Sequence, residues 1–140
     1  EQLDILALKL SFLSIGTNDL TQFLFAADRA NPKLAERYDW LSPAILRFLK
    51  RVMQSVAGHN VDVTVCGEMG GRRLEALALM GIGIRRLSIT PASVGPIKEL
   101  VRKVDLEDIG QAMNGWLAAP PRDLRVALMD WAQQRGIDCD

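Results

Sequence analysis

The sequence contains little cysteine or histidine: Cys66, Cys139 and one histidine among 140 residues. The two cysteines lie far apart, and neither stands in a close pair with another Cys or His. We therefore expect neither a disulfide framework nor a zinc site. We also expect a reducing, cytoplasmic environment, because stable disulfides belong to oxidising compartments.

The sequence also lacks an excess of charge and a long apolar run. Lys and Arg balance Asp and Glu at 17 each, whereas nucleic-acid binders usually carry a basic excess. No apolar run reaches the roughly 18 residues that a membrane helix needs, and no signal-peptide pattern is present. We therefore expect neither a nucleic acid nor a membrane as partner. Because the sequence opens on Glu1 rather than Met, we expect it to belong to a longer protein.

The sequence has the composition of an ordinary globular protein, with 49% hydrophobic and 24% charged residues. Short apolar runs alternate with helical stretches, which predicts parallel strands joined by helical crossovers in an α/β fold. Three such strands are too few for an independent domain of this class, so we expect the last part of a larger fold. The predicted strands are 12–15, 61–65 and 84–89, and the predicted helices are 20–27, 43–57, 74–80, 94–104, 105–117 and a last one ending at Arg135.

Three polar or glycine-bearing segments follow the predicted strands. Ligands of parallel α/β folds bind at the carboxyl ends of the strands, so these segments are expected to lie side by side. The carboxylate of Asp19 suits Mg²⁺, which shares substrate phosphate oxygens, and Arg29 suits a phosphate or carboxylate group. The segments are 16–19, 66–71 and 90–93.

Each candidate residue also has a purely structural interpretation. Asp19 could cap the helix that follows the first strand. Cys66 could fill the core as a small hydrophobic residue, and Arg29 could be an ordinary surface arginine. Cys139, next to the C-terminus, is expected to be frayed.

Three motifs together are more specific than any single residue. They are Ser-Ile-Gly-Thr-Asn-Asp-Leu-Thr-Gln at 14–22, Ala-Asp-Arg-Ala-Asn at 27–31 and Cys-Gly-Glu-Met-Gly-Gly at 66–71. In their residues and their spacing they resemble the Enzyme I family of the phosphoenolpyruvate-dependent phosphotransferase system, most of all its nitrogen-related branch. The resemblance implies the C-terminal portion of a parallel (β/α)8 TIM-type barrel over residues 1–104. Residues 105–140 are then expected to be a C-terminal helical extension.

The resemblance also implies an activity and a set of roles. The family moves a phosphoryl group from phosphoenolpyruvate through one of its own histidines to a histidine phosphocarrier protein, and it works with Mg²⁺ as a homodimer. Asp19 would be one of two acidic Mg²⁺ ligands, Asn18 would hold the substrate and Arg29 its phosphate. Cys66 would donate a proton to the enolate as pyruvate forms. His59 does not match the phosphorylated histidine, and no second metal acid is found, so we expect the chain alone to be inactive.

Two alternatives stay open. Pyruvate phosphate dikinase shares the Gly-Thr-Asn-Asp and Cys-Gly-Glu motifs, although it usually has a histidine where this chain has Met69. A non-catalytic dimerisation module is the other alternative, with the last two helices facing a partner. The sequence departs from the family pattern at Gly70-Gly71-Arg72, where Ala-Gly-Asp is common, and Arg72 adds a positive charge near the loop.

Overall fold

The computed structural model describes residues 2–28 and 30–139 of the chain. These residues form three strands and seven α-helices, with 3-10 helices at Pro32–Arg37 and Met69–Gly71. The strands are β1 (Phe12–Gly16), β2 (Asp62–Cys66) and β3 (Arg86–Ser88). The α-helices are α1 (Leu3–Ala7), α2 (Thr17–Phe25), α3 (Pro43–Val56), α4 (Arg73–Gly81), α5 (Pro91–Lys103), α6 (Leu106–Ala118) and α7 (Leu124–Gln133).

The three strands form one parallel sheet in the order β1-β2-β3. This confirms the parallel α/β architecture expected from the alternation of apolar runs and helices. Each strand neighbours the next one along the chain, and the intervening helices provide the crossovers that parallel pairing requires. The third strand is shorter than the predicted 84–89, because only three of its residues pair with β2.

The best-marked helix starts are confirmed. The Ser42 hydroxyl accepts a hydrogen bond from the Ala44 amide at the start of α3, and Pro43 takes the first helical position. Asp105 caps α6 by accepting from the amides of Glu107 and Asp108. These contacts satisfy amide groups that a helix N-terminus leaves without a partner.

Two helices begin earlier than the apolar pattern predicts. Helix α2 begins at Thr17 instead of residue 20, because the chain turns into the helix directly from Gly16, whose backbone is extended. Helix α5 begins at Pro91 instead of residue 94, with Thr90 in extended conformation before it. In both cases the first turn is polar or contains proline, so apolar periodicity does not reveal it.

Helix α4 lies at the centre of the hydrophobic core, and every residue from Leu74 to Gly81 is buried. Helix α6 crosses it closely, since a Cβ on Gly81 would approach Met113 Cγ to 2.4 Å and the Ile109 carbonyl oxygen to 3.1 Å. The last two helices therefore share one core with α4.

The C-terminus is tied to the rest of the chain. Cys139 is only 8% exposed and belongs to the hydrophobic core, so the expectation that it is frayed is wrong. Arg73 of α4 explains part of this order, because it pairs with the Asp138 carboxylate at 2.8 Å and with Glu99 of α5 at 2.9 Å. Within the described residues, none of the helices combines the length and the apolar character needed to cross a bilayer.

Candidate functional site

The candidate site lies at the carboxyl edge of the sheet. Gly16, the last residue of β1, is the register partner of Cys66, the last residue of β2. Cys66 in turn is the partner of Ser88, the last residue of β3. The prediction that Asp19 and Cys66 lie at the same edge is confirmed, because Asp19 follows β1 by three residues within the first turn of α2.

A hydroxyl of α2 joins the ends of the first two strands. The Thr17 hydroxyl donates to the Cys66 carbonyl oxygen at 3.2 Å, and the Thr21 hydroxyl donates to the Thr17 carbonyl oxygen at 2.7 Å. Both threonines are fully buried. The start of α2 is thereby fixed against the end of β2, although these parts of the chain are about fifty residues apart.

Gly67 permits this close approach. Its φ of +106° belongs to a region that other residues rarely adopt, and a Cβ there would lie 2.9 Å from the Thr17 hydroxyl oxygen. A side chain at this position would push the start of α2 away from the Cys66 loop. Glycine is therefore required both by the backbone conformation and by the space available.

The Cys66 thiol lies at the surface of the sheet edge, where it is half-buried. The Ser14 hydroxyl of β1 contacts it with an oxygen–sulfur distance of 3.6 Å, within the range of a hydrogen bond to sulfur. Cys66 therefore has a polar neighbour and access to solvent. A cysteine that only fills the core would have neither.

Asn18 and Asp19 both lie in the first turn of α2, where free amides and the helix dipole favour negative charge. The side-chain oxygen Oδ1 of Asn18 is buried and makes no hydrogen bond within the described part of the chain. Such an oxygen is costly unless it has a partner. It therefore favours a ligand or ion at this position.

The donor set is compatible with Mg²⁺ but supplies only part of a site. Asp19 is exposed and forms no salt bridge with any residue that the structure describes, so its carboxylate is available to a cation. Mg²⁺ takes one or two carboxylates and completes its shell with water and substrate phosphate oxygens. No group of three His, Cys, Asp or Glu converges on a metal position between residues 2 and 28 or between 30 and 139.

Comparison with known proteins decides the family. The model described as "PEP-utilising enzyme, PEP-binding domain" matches residues 2–106, three quarters of the chain. The chain belongs to this PEP-binding family. A phosphoenolpyruvate-protein phosphotransferase of Borreliella burgdorferi is 40% identical over 89% of the chain. A protein of Salmonella typhimurium named "Phosphoenolpyruvate-dependent phosphotransferase system" is 45% identical over 94% of it, and one of that name from Escherichia coli is 39% identical.

The chain spans about a fifth of the length of these relatives, 22% of the Borreliella protein and 18% of the Salmonella protein. The match to the PEP-binding family includes the three motifs that carry the resemblance to Enzyme I. It ends at residue 106, so α7 and nearly all of α6 lie beyond it.

The structure describes only part of the family motif at 27–31. Arg29 itself lies outside the described residues. Its neighbours form a compact turn, in which the Asp28 carboxylate accepts from the Ala30 amide at 2.9 Å and the Asn31 side chain accepts from the Lys33 amide at 3.0 Å.

Sequence reasoning missed an ion cluster that joins α7 to α4 and to the segment before α3. Arg125 of α7 pairs with Asp39, which lies between α2 and α3, and with Glu75 in the first turn of α4. Burial disfavours the charge of Arg125, but the hydrogen bonds and charges of Asp39 and Glu75 outweigh this and raise its pKa above the ordinary value. One signal was available in the sequence, because Glu75 is the single charged residue in the apolar run Leu74–Met80.

Proposed function

We propose that the chain forms part of the PEP-binding domain of a phosphoenolpyruvate-protein phosphotransferase of the Enzyme I type. The reaction transfers the phosphoryl group of phosphoenolpyruvate to an enzyme histidine outside this chain and then to a histidine phosphocarrier protein, with release of pyruvate. The observation that carries the proposal is the juxtaposition of Asn18, Asp19 and Cys66 at one sheet edge, in a chain of the PEP-binding family. The names of the most similar relatives support it.

The start of α2 is proposed to bind the phosphate end of the substrate. Asp19 would hold Mg²⁺ together with an acid outside this chain, and the ion would neutralise phosphate charge as the phosphoryl group departs. Asn18 would hold the substrate by donating from its side-chain nitrogen to a phosphate oxygen, whereas its buried, unpartnered Oδ1 suits a cation or a hydrogen-bond donor. We also assign Arg29 to the phosphate, because a guanidinium matches phosphate oxygens in a bidentate geometry.

Cys66 is proposed as the proton donor. When the phosphorus–oxygen bond of phosphoenolpyruvate breaks and a phosphorus–nitrogen bond forms on the histidine, the enolate of pyruvate remains. The enolate methylene carbon takes the proton of the Cys66 thiol, and solvent then returns a proton to the thiolate. A positioned thiol can serve as the general acid of such a step. The contact from the Ser14 hydroxyl supports this role by orienting the sulfur.

The fold is proposed to be the C-terminal portion of a (β/α)8 barrel. Sequential neighbours β1-β2-β3, all parallel and joined by helices, have the order that a barrel requires. Parallel sheets are buried on both faces in such folds, and the 70% exposure of Phe12 on β1 is consistent with further strands and helices over that side. The boundary between residues 104 and 105 stays a prediction, as does the separate role of 105–140.

Further features of the assignment remain proposals of the same kind. We propose the nitrogen-related branch on the wording of the motifs, a homodimer because Enzyme I associates through its C-terminal domain, and a cytoplasmic location. A histidine phosphocarrier protein as partner follows from the proposed reaction. None of these depends on the geometry of the sheet edge.

The decisive experiment measures pyruvate released from phosphoenolpyruvate by the full-length protein with Mg²⁺ and a histidine phosphocarrier protein. We expect Cys66→Ala to slow pyruvate formation by about 100-fold or more while phosphoenolpyruvate binding changes little, because the thiol acts on the enolate and not on the bound substrate. Asp19→Asn is expected to lower both the affinity for Mg²⁺ and the rate of turnover.

Cys139→Ala is the matched control, because it removes the other cysteine, which belongs to the hydrophobic core and follows none of the three strands. This variant is expected to turn over at the wild-type rate. Normal turnover in Cys66→Ala would return Cys66 to a structural role. A wild-type protein that binds phosphoenolpyruvate but never releases pyruvate would favour the non-catalytic alternative.

A further inference from the structure

We propose that Arg125 is a positioning residue, through which helix α7 holds the two loops of the candidate site in their relative places. The proposal rests on the proposed function for its meaning in catalysis, and on contacts within the chain for its geometry. Arg125 lies beyond the stretch that matches the PEP-binding family, which ends at residue 106.

The guanidinium of Arg125 joins two segments that are far apart in sequence. Its Nη2 atom lies 2.8 Å from Asp39 Oδ1 and 2.9 Å from Glu75 Oε1. Asp39 belongs to the segment between α2 and α3, whereas Glu75 belongs to α4, directly after the 66–72 loop. One side chain of α7 therefore connects the segment that follows α2 with the segment that follows β2.

Both carboxylates are themselves anchored. Glu75 is 2% exposed, so its buried charge depends on the pairing with Arg125 to offset the cost of its desolvation. Asp39 Oδ1 also accepts from the Leu41 amide at 3.0 Å, which fixes the backbone just before α3. A displacement of α7 would therefore be transmitted to the backbone on both sides.

A second contact connects the same two segments. The Arg72 guanidinium at the end of the Cys66 loop lies over the Trp40 ring, with its central carbon 5.1 Å from the ring centre. The guanidinium is attracted electrostatically to the face of the ring. Arg72 is also one of the residues at which the chain departs from the common pattern of Enzyme I. Because Trp40 follows Asp39 directly, the ion cluster and this stack form one continuous connection.

The consequence for the site is geometric. The segment between α2 and α3 continues the chain from α2, whose first turn carries Asn18 and Asp19, and the 66–72 loop begins with Cys66. A site that binds its substrate between α2 and this loop depends on the distance between them, and misplacements near 1 Å are costly. Residues that hold the loops together should then affect substrate binding although they contact no substrate.

The test uses Asp39→Asn in the full-length protein. Removing Arg125 would leave Glu75 buried without a counter-ion and could unfold the protein. Asp39 is half-exposed, and its replacement keeps the Arg125–Glu75 pair. We expect a rise in KM for phosphoenolpyruvate of about threefold to tenfold with kcat changed less than about twofold, because the loops shift while the reacting groups remain. Asp39→Glu, which restores the charge, should recover most of the wild-type KM.

Arg135→Gln is the matched control. Arg135 lies two residues beyond the end of α7 and pairs with a half-exposed carboxylate, Asp108 of α6, at 2.6 Å, and none of its described contacts is to either loop. We expect its KM to equal that of the wild type. An equal KM in Asp39→Asn and Arg135→Gln would overturn the proposal and leave the proposed function intact.

Hydrogen exchange separates the two proposals. If Asp39 fastens its segment, amides of residues 30–42 should exchange faster in Asp39→Asn than in the wild type or in Arg135→Gln. This measurement needs no turnover, so a wild type without activity would refute the proposed function alone. Unchanged exchange in residues 30–42 would overturn the positioning role whatever the activity.

Discussion

Gly67→Ala should separate the two requirements that the structure places on this residue. The first is the backbone φ of +106°, which costs about 1–2 kcal/mol for a residue with a Cβ. The second is contact, since the new Cβ would lie 2.9 Å from the Thr17 hydroxyl oxygen. That hydroxyl donates to the Cys66 carbonyl, so it cannot move without losing a buried hydrogen bond. Overpacking of this kind adds about 1–3 kcal/mol.

Gly58→Ala provides the matched control. Gly58 has a φ of +82°, but a Cβ there would meet nothing within 4 Å. It should therefore lose only the backbone contribution of about 1–2 kcal/mol, whereas Gly67→Ala should lose about 2–5 kcal/mol in total.

Urea unfolding of the two variants measures the difference in the free energy of unfolding. For a slope near 2 kcal/mol per M, an extra loss of about 2 kcal/mol moves the midpoint by about 1 M. Gly67→Ala should also weaken phosphoenolpyruvate binding in the full-length protein, because the start of α2 would move from the Cys66 loop, while Gly58→Ala should not. Equal destabilisation by the two substitutions would refute the packing argument at the sheet edge.

Two further predictions concern the packing of the chain. Gly81→Ala should destabilise the protein by about 1–3 kcal/mol, because its Cβ would press on Met113 and on the Ile109 carbonyl of α6. Gly115→Ala, in open space on α6, should instead stabilise it by about 0.4–1 kcal/mol. Thermal melting measures both changes, and shifts of the same sign would contradict this reasoning. Residues 1–140 alone should self-associate in light scattering, because Leu8 and Phe12 are 73% and 70% exposed beside the open edge of β1. Phe12→Lys should reduce this association. If the wild-type fragment is a monodisperse monomer, the edge of β1 does not need another chain to cover it.

The sequence was sufficient to predict the parallel α/β order and the edge at which the candidate residues meet. Apolar runs closed by Gly16 and Cys66 mark strands, and the geometry of parallel pairing then places both carboxyl ends together. Capping by Ser42 and Asp105 was equally readable, because a helix start has local polar requirements that a short stretch of sequence reveals. The family motifs were readable for the same reason, since each is a short continuous stretch of sequence.

Only the tertiary structure decided what depends on contacts between distant parts of the chain. The order of the C-terminus comes from core packing of Cys139 and from pairing of Asp138 with Arg73, neither of which has a local signal. Likewise, nothing near Arg125 in sequence indicates that it meets Asp39 and Glu75. Apolar periodicity reports the face that a helix buries, but it does not report which helix lies opposite. Local chemistry therefore determined the elements and the edge of the site, whereas long-range packing determined how α7 is joined to it.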